Sequence, residues 1–152
     1  MLNTKSIPAK LTIAAKAHLT IPEIPVFANA IFPSLHEVIA QLELEIISPP
    51  EFIYFGIDGD PSTLFDLLIT LPIKEKKAAP AHFDYYQSEA FKCATVEYVG
   101  SMPGIKQAWS ALYQAVAAAG LTPSNQCREI CNKWVGFDSV ENVIELQLGI
   151  ED

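Results

Sequence analysis

The second half of this sequence repeats the pattern of the first, and no single motif constrains the fold as strongly. At a shift of 77 residues, which lays Ile73 on Ile150, Phe32 falls on Trp109, Leu35 on Leu112 and Ile39 on Val116. Further along, Leu44 falls on Leu121, Ile53 on Ile130, Gly59 on Gly136 and Leu71 on Leu148. The overlay runs for about 45 residues without a gap, and it keeps apolar character and parity while sharing few identical residues. A duplicated unit is expected, with repeat 1 over about residues 1–75 and repeat 2 over about 81–152 of a single domain. Units of that size are small to stand alone, so they are expected to share one core.

Local patterns say what each unit contains. In Val143–Ile150 the residues Ile144, Leu146, Leu148 and Ile150 alternate with Val143, Glu145, Gln147 and Gly149. This period of two marks a strand with one apolar and one mixed face. Residues 2–19 read as extended, with Leu11, Ile13 and Ala15 alternating and Pro8 at an edge. Ile31, Leu35, Val38, Ile39 and Leu42 then recur at helical spacing, and Pro33 sets the expected start of the regular helix near Phe32–Ser34. Strands are expected over Glu51–Ile57 and Leu64–Ile73, then over His82–Gln87 and Phe91–Val99. A second helical stripe, Ile105, Trp109, Leu112, Val116 and Ala119, stops at Gly120. Cys127–Trp134 and Val143–Ile150 close the chain as strands. The expected class is α+β, a tandem duplication of a strand-helix-strand-strand unit. It would form a mainly antiparallel sheet carrying two helices, with a seam between the units.

Composition narrows the function. Ten basic residues against 18 acidic ones give a formal charge of -8, with no basic stripe beyond Lys74-Glu75-Lys76-Lys77. Direct nucleic-acid binding is not expected of such a surface. No apolar run reaches the roughly 18 residues of a membrane span. Met1–Lys10 lacks the order of a signal peptide, so a cytoplasmic setting is expected. Cys93, Cys127 and Cys131 form no paired framework, and His18, His36 and His82 are isolated, so neither a metal nor a cofactor is expected.

Glu145 in mid-strand has two readings, a solvated residue on an open sheet face or a carboxylate at the floor of a ligand cleft. The mixed strand faces add Phe52 and Tyr54 in the first half and Glu129 and Cys131 in the second, with Tyr98 nearby. Trp109 shares a stripe with core residues, and Trp134 precedes a turn where it would rim a cleft or cap a core. For an enzyme the sequence offers little. It has no nucleophile elbow, phosphate loop, metal cluster or dinucleotide turn. Cys131 beside Glu129 is a nucleophile only if nearby positive charge lowers its pKa.

Tyr98-Val99-Gly100-Ser101, followed by Ala108-Trp109 and Leu112, resembles the GyrI-like small-molecule-binding domain, the effector-binding domain of multidrug-responsive transcription regulators. The family pattern continues with Arg-Glu-x-Tyr on a strand, here Arg128-Glu129-Ile130-Cys131, and a final strand bearing Glu, here Glu145 with Gly149-Ile150. Leu71-Pro72-Ile73 matches in the first half. The resemblance implies a small-molecule ligand, flat, lipophilic and often cationic, held in a central cleft between the repeats over a carboxylate that by position would be Glu145. Tyr54, Phe52, Tyr98, Cys131, Trp134 and Trp109 are the expected companions. Cys131 replaces the family tyrosine, although Tyr54 holds the equivalent place in the first half, and Gly149 replaces a proline. With no DNA-binding segment ahead of the domain, a standalone binding protein is expected. The alternatives are a hydrolase of reactive small molecules using Glu145 with Tyr54 or Cys131, and a protein-interaction module that modulates a topoisomerase.

Overall fold

A computed structural model describes residues 2–151. Among these the chain forms β1 (Asn3–Ile7), β2 (Lys10–Leu19), α1 (Ile24–Leu42), β3 (Glu51–Phe55) and β4 (Phe65–Pro72). Then follow β5 (Asp84–Ser88), β6 (Phe91–Val99), α2 (Ile105–Ala118), β7 (Pro123–Lys133) and β8 (Val143–Ile150). All eight strands join one antiparallel sheet, ordered β1-β6-β8-β7-β3-β4-β2-β5 and curled into a half-barrel. The α+β class expected from the sequence is the class observed. Read from either edge, the order is the same kind of series, a short strand and then the three strands of a strand-helix-strand-strand segment. The short edge strands are exchanged, however: β1 pairs with β6, and β5 pairs with β2.

Two local expectations are corrected. The extended N-terminal stretch is two strands, because Pro8 has no N–H to give a ladder and the chain changes partners there. Helix α1 begins at Ile24, nine residues before Pro33, which lies inside it. Pro25 in the first turn starts it, since the donor it lacks has no partner at that position anyway. Pro33 and Asn29 are both exposed, so water can satisfy the carbonyl that Pro33 leaves without a partner.

Cross-strand neighbours share a face, so the registers sort the side chains into two sets. Tyr54 pairs with Cys127 and Leu67, Phe52 with Glu129 and Ile69, and Glu129 with Leu146. These residues lie on the face that carries the helices, where Leu112, Val116, Ile144, Leu146 and Leu148 form the core with Tyr54 and Leu67. The opposite face holds Glu51, Thr70, Arg128, Glu145 and Gln147. Burial of so polar a face has a topological cause. Ile7 pairs with Phe91 and Lys10 with Ser88, so the chain segments between them travel together from one edge of the curled sheet to the other. The Arg128 guanidinium, fully buried, stacks 3.8 Å from the Phe91 ring and donates to the Glu89 carbonyl at 2.9 Å. Lys10 pairs with buried Glu51 at 2.6 Å.

Gly149 belongs to this layer. A Cβ there would lie 2.6 Å from the Gln126 carbonyl oxygen and would also meet the Ser124 hydroxyl. Gly149→Ala is expected to cost about 1–3 kcal/mol through overpacking. Gly136→Ala, where a Cβ meets nothing within 4 Å, should change stability by less than about 0.5 kcal/mol. Chemical denaturation of the two variants checks this.

Candidate functional site

A cleft of about 760 Å³ opens on the helix-bearing face. The volume falls within the range of small-molecule sites, roughly 300–1,000 Å³. Its two side walls are matching structures. Ile21 and Ile24 come from the single 3₁₀ turn and first residue that begin α1, and Met102 and Ile105 from the corresponding turn before α2. Trp109 and Tyr113 project from α2, Tyr54 from β3, Ile57 from the loop that follows it, and Phe137 from the loop after β7. The floor is β7, with Cys127 and Glu129.

Helix starts usually offer free N–H groups and suit anions. Here Pro22 and Pro25 remove donors from the first wall. The Glu23 carboxylate also occupies that end, accepting from the Thr20 N–H at 2.9 Å and its hydroxyl at 2.8 Å. The walls are therefore mainly apolar, with Asp58 and Lys106 among the polar groups that border the cleft.

Glu129 is the feature that sets this cleft apart. The residue is 7% exposed. One carboxylate oxygen accepts the Tyr54 hydroxyl at 2.5 Å and the other the Trp109 indole N–H at 2.8 Å. Among the described residues no cationic side chain lies within 4.0 Å of it, whereas Glu51 pairs with Lys10 and Glu145 with Lys5. Burial pushes the Glu129 carboxyl above the usual glutamate range, and the hydrogen bonds from Tyr54 and Trp109 offset only part of that. Burial, reinforced by the Glu129 charge, also raises the Tyr54 phenol well above its ordinary range. With a raised folded value, Glu129 contributes to folding below pH 4.5, and that contribution is lost as pH rises through the folded value.

The expected anchor is elsewhere. Glu145 lies on the opposite face, where its carboxylate accepts from Gln147 at 2.6 Å and Thr95 at 3.2 Å and pairs with Lys5 at 2.6 Å. Burial opposes its ionisation, yet the hydrogen bonds from Gln147 and Lys5 and the Lys5 charge hold its pKa below the ordinary value. The expectation that Glu145 floors the cleft is therefore corrected. Strand β8 turns its apolar face, not its mixed one, toward the helices, and parity carries Glu145 away.

The other expected residues divide. Tyr54 and Trp109 line the cleft. Phe52 is on the same face but packs against Phe32, with ring centroids 6.0 Å apart, outside the lining. Tyr98 packs under the turn before α2, its hydroxyl donating to the Ser101 carbonyl at 2.5 Å. Cys131 packs against the core, and burial with the Glu129 charge pushes its thiol up to about 12, which favours the thiol over the thiolate at neutral pH. Trp134 is 53% exposed and lies outside the lining. Sequence reasoning named Glu129 but did not make it the anchor. Its signal was position beside Tyr54 on the mixed faces. Ile21, Met102, Tyr113 and Phe137 gave no comparable signal.

No family model matches the chain, and no curated protein matches it by sequence. Solved structures do match in fold. The EcmrR C-terminal domain has a TM-score of 0.83 at 16% identity, the match covering 100% of this chain and 98% of that one. EcmrR in its DNA complex gives 0.84 at 18%, and there the chain spans 57% of the EcmrR chain. SAV2435 bound to tetraphenylphosphonium gives 0.68 at 12%, covering 99% and 94%. A hydrolase from Listeria innocua gives 0.60 at 10%, covering 98% and 92%. The chain has the fold of these domains. It is the fold expected from the GyrI-like resemblance. Among the described residues no helix is long and apolar enough to cross a membrane.

The hydrogen bonds to Glu129 make a direct prediction. Tyr54→Phe and Trp109→Phe each remove a donor that favours the ionised carboxyl, so each should raise the Glu129 pKa further. Carboxyl-labelled glutamate followed by ¹³C NMR across pH measures the shift.

Proposed function

We propose that this chain binds a small lipophilic cation in the cleft, in the manner of GyrI-like effector-binding domains, with Glu129 as the charged anchor. The observation that carries this reading is a buried carboxylate, held by Tyr54 and Trp109, that has no cationic partner among the described residues. Taking a carboxylate out of water is costly, and an arriving cation relieves that cost. Trp109 and Tyr113 offer ring faces worth about 0.5–2 kcal/mol per good cation contact. The apolar walls suit the rest of a flat or propeller-shaped ligand. SAV2435, which shares the fold, is solved with such a cation, tetraphenylphosphonium.

Titration with tetraphenylphosphonium, read by Trp109 fluorescence and calorimetry, tests the reading. Saturable binding is expected, and Glu129→Gln should weaken it about 10–100-fold, or roughly 1.4–2.8 kcal/mol. Unchanged affinity in Glu129→Gln would remove Glu129 from recognition. Glu145→Gln should leave affinity unaltered.

The Tyr54–Glu129 hydrogen bond favours a second reading, hydrolysis of a reactive small molecule with this pair in place of Glu145 and Cys131. Turnover of an electrophilic ester that is lost in both Glu129→Gln and Tyr54→Phe would support it. Turnover that persists in both would sink it.

We also propose that the two halves are copies of one unit. Pairing supports this: Phe52 faces Glu129, its counterpart 77 residues on, and the pairs Phe52–Ile69 and Tyr54–Leu67 match Glu129–Leu146 and Cys131–Ile144. Superposing β2–α1–β3–β4 on β6–α2–β7–β8 tests it, a different helix path in either half being the failing result.

A further inference from the structure

We propose that the cleft exchanges a proton for its cationic ligand: the empty site holds Glu129 as the neutral acid, and the cation enters by expelling that proton to solvent. The inference rests on the cation-binding reading above and concerns what stands in for the cation when the cleft is empty.

The geometry points to it. Three carboxylates of this sheet are wholly or partly withdrawn from water, and two have a lysine at 2.6 Å. Among the described residues Glu129 has only neutral donors, the Tyr54 hydroxyl and the Trp109 N–H. What it lacks is compensating charge, not hydrogen bonds, and a proton is the simplest supplier.

The groups around it do not supply that charge. Tyr54 on β3 and Cys127 and Cys131 on β7 are neutral in their protonated states. Tyr113 on α2 is likewise a neutral phenol. Strand β8 contributes Ile144 and Leu146, and the turn before α1 contributes Ile21 and Ile24, none of them titratable. Lys106 on α2 and Asp58 in the loop after β3 are of opposite sign, and both are exposed. Burial leaves Glu129 the group that answers to pH, in the direction of holding its proton.

The proton has a defined place. Trp109 can only donate, so the oxygen that it contacts must accept in either state. The oxygen facing Tyr54 can carry the proton, because a phenol can reverse from donor to acceptor. The exchange balances as a carboxylic acid plus a bound cation giving a carboxylate–cation pair plus one solvated proton. A neutral ligand of the same shape needs no such release, so it should occupy the protonated cleft directly.

Calorimetry in paired buffers of different ionisation enthalpy, repeated between about pH 5 and 7, counts the protons released per ligand. With tetraphenylphosphonium, release approaching about one proton is expected at the acid end, falling toward zero as pH rises above the Glu129 value. Triphenylphosphine oxide should bind without release at any pH, and Glu129→Gln should abolish release with the cation. A ¹³C titration of the glutamate carboxyls in the empty protein supplies an independent arm. Cation binding without proton release even at the acid end, or a Glu129 carboxyl titrating at or below 4.5, overturns the exchange and leaves the binding reading intact. A carboxyl that titrates high in a cleft that takes no tetraphenylphosphonium overturns the binding reading instead.

Discussion

The antiparallel pairing of β3 with β7 is the constraint on which the rest of the structure depends. It joins the two halves of the chain, and its register makes Phe52 the neighbour of Glu129 and Tyr54 the neighbour of Cys127. Because side chains on paired strands share a face, this register alone puts the Tyr54 phenol and the Glu129 carboxylate on the same side of the sheet. A slip of one residue would exchange Glu129 for Arg128 or Ile130 and turn the cleft floor into something else. Helix α2 then lays Trp109 across the same carboxylate, closing a three-residue cluster drawn from three separate elements.

The two faces handle buried charge in different ways. On the face away from the helices, Glu51 has Lys10, Glu145 has Lys5, and Arg128 has a ring beneath it and the carbonyl of Glu89 from the strap of chain that crosses between β5 and β6. Those groups hold the curled sheet together and compensate one another. On the helix face, among the described residues, a single carboxylate is buried with neutral partners only. Carboxylates left in that state bind something that supplies charge, or stay protonated. This asymmetry separates a structural polar core from a candidate binding site.

The walls of the cleft follow from how the helices begin. Each helix is entered through a single 3₁₀ turn, and prolines lie within or beside both turns. Proline at a helix start fixes the backbone and removes a donor, so the ends that face the cleft lose part of their usual appeal to anions. Leu112 and Val116 of α2, and Leu35 and Ile39 of α1, meanwhile pack against the sheet and fix the separation of the walls. The cleft is therefore framed by how two amphipathic helices dock, and the loops after β3 and β7 add Asp58, Gly59, Pro61 and Phe137 to its lining.

The sequence by itself determined the class of fold. Period-two alternation in Val143–Ile150, the helical stripes around Leu35 and Leu112, and the glycine stop at Gly120 are local signals, and β8 and the two helices formed over them. Pro33 misled because a proline is read as a boundary, while a solvent-facing turn of α1 tolerates it. The sequence also supplied Tyr54, Trp109 and Glu129 as chemically suitable side chains. Only the tertiary structure decided which carboxylate lines the cleft. Alternation fixes relative facing along one strand, but which face meets the helices depends on how β8 pairs with β6 and β7 and where α2 docks. Glu145 and Glu129 have the same local grammar, and sheet parity sends one to the strap side and the other to the cleft.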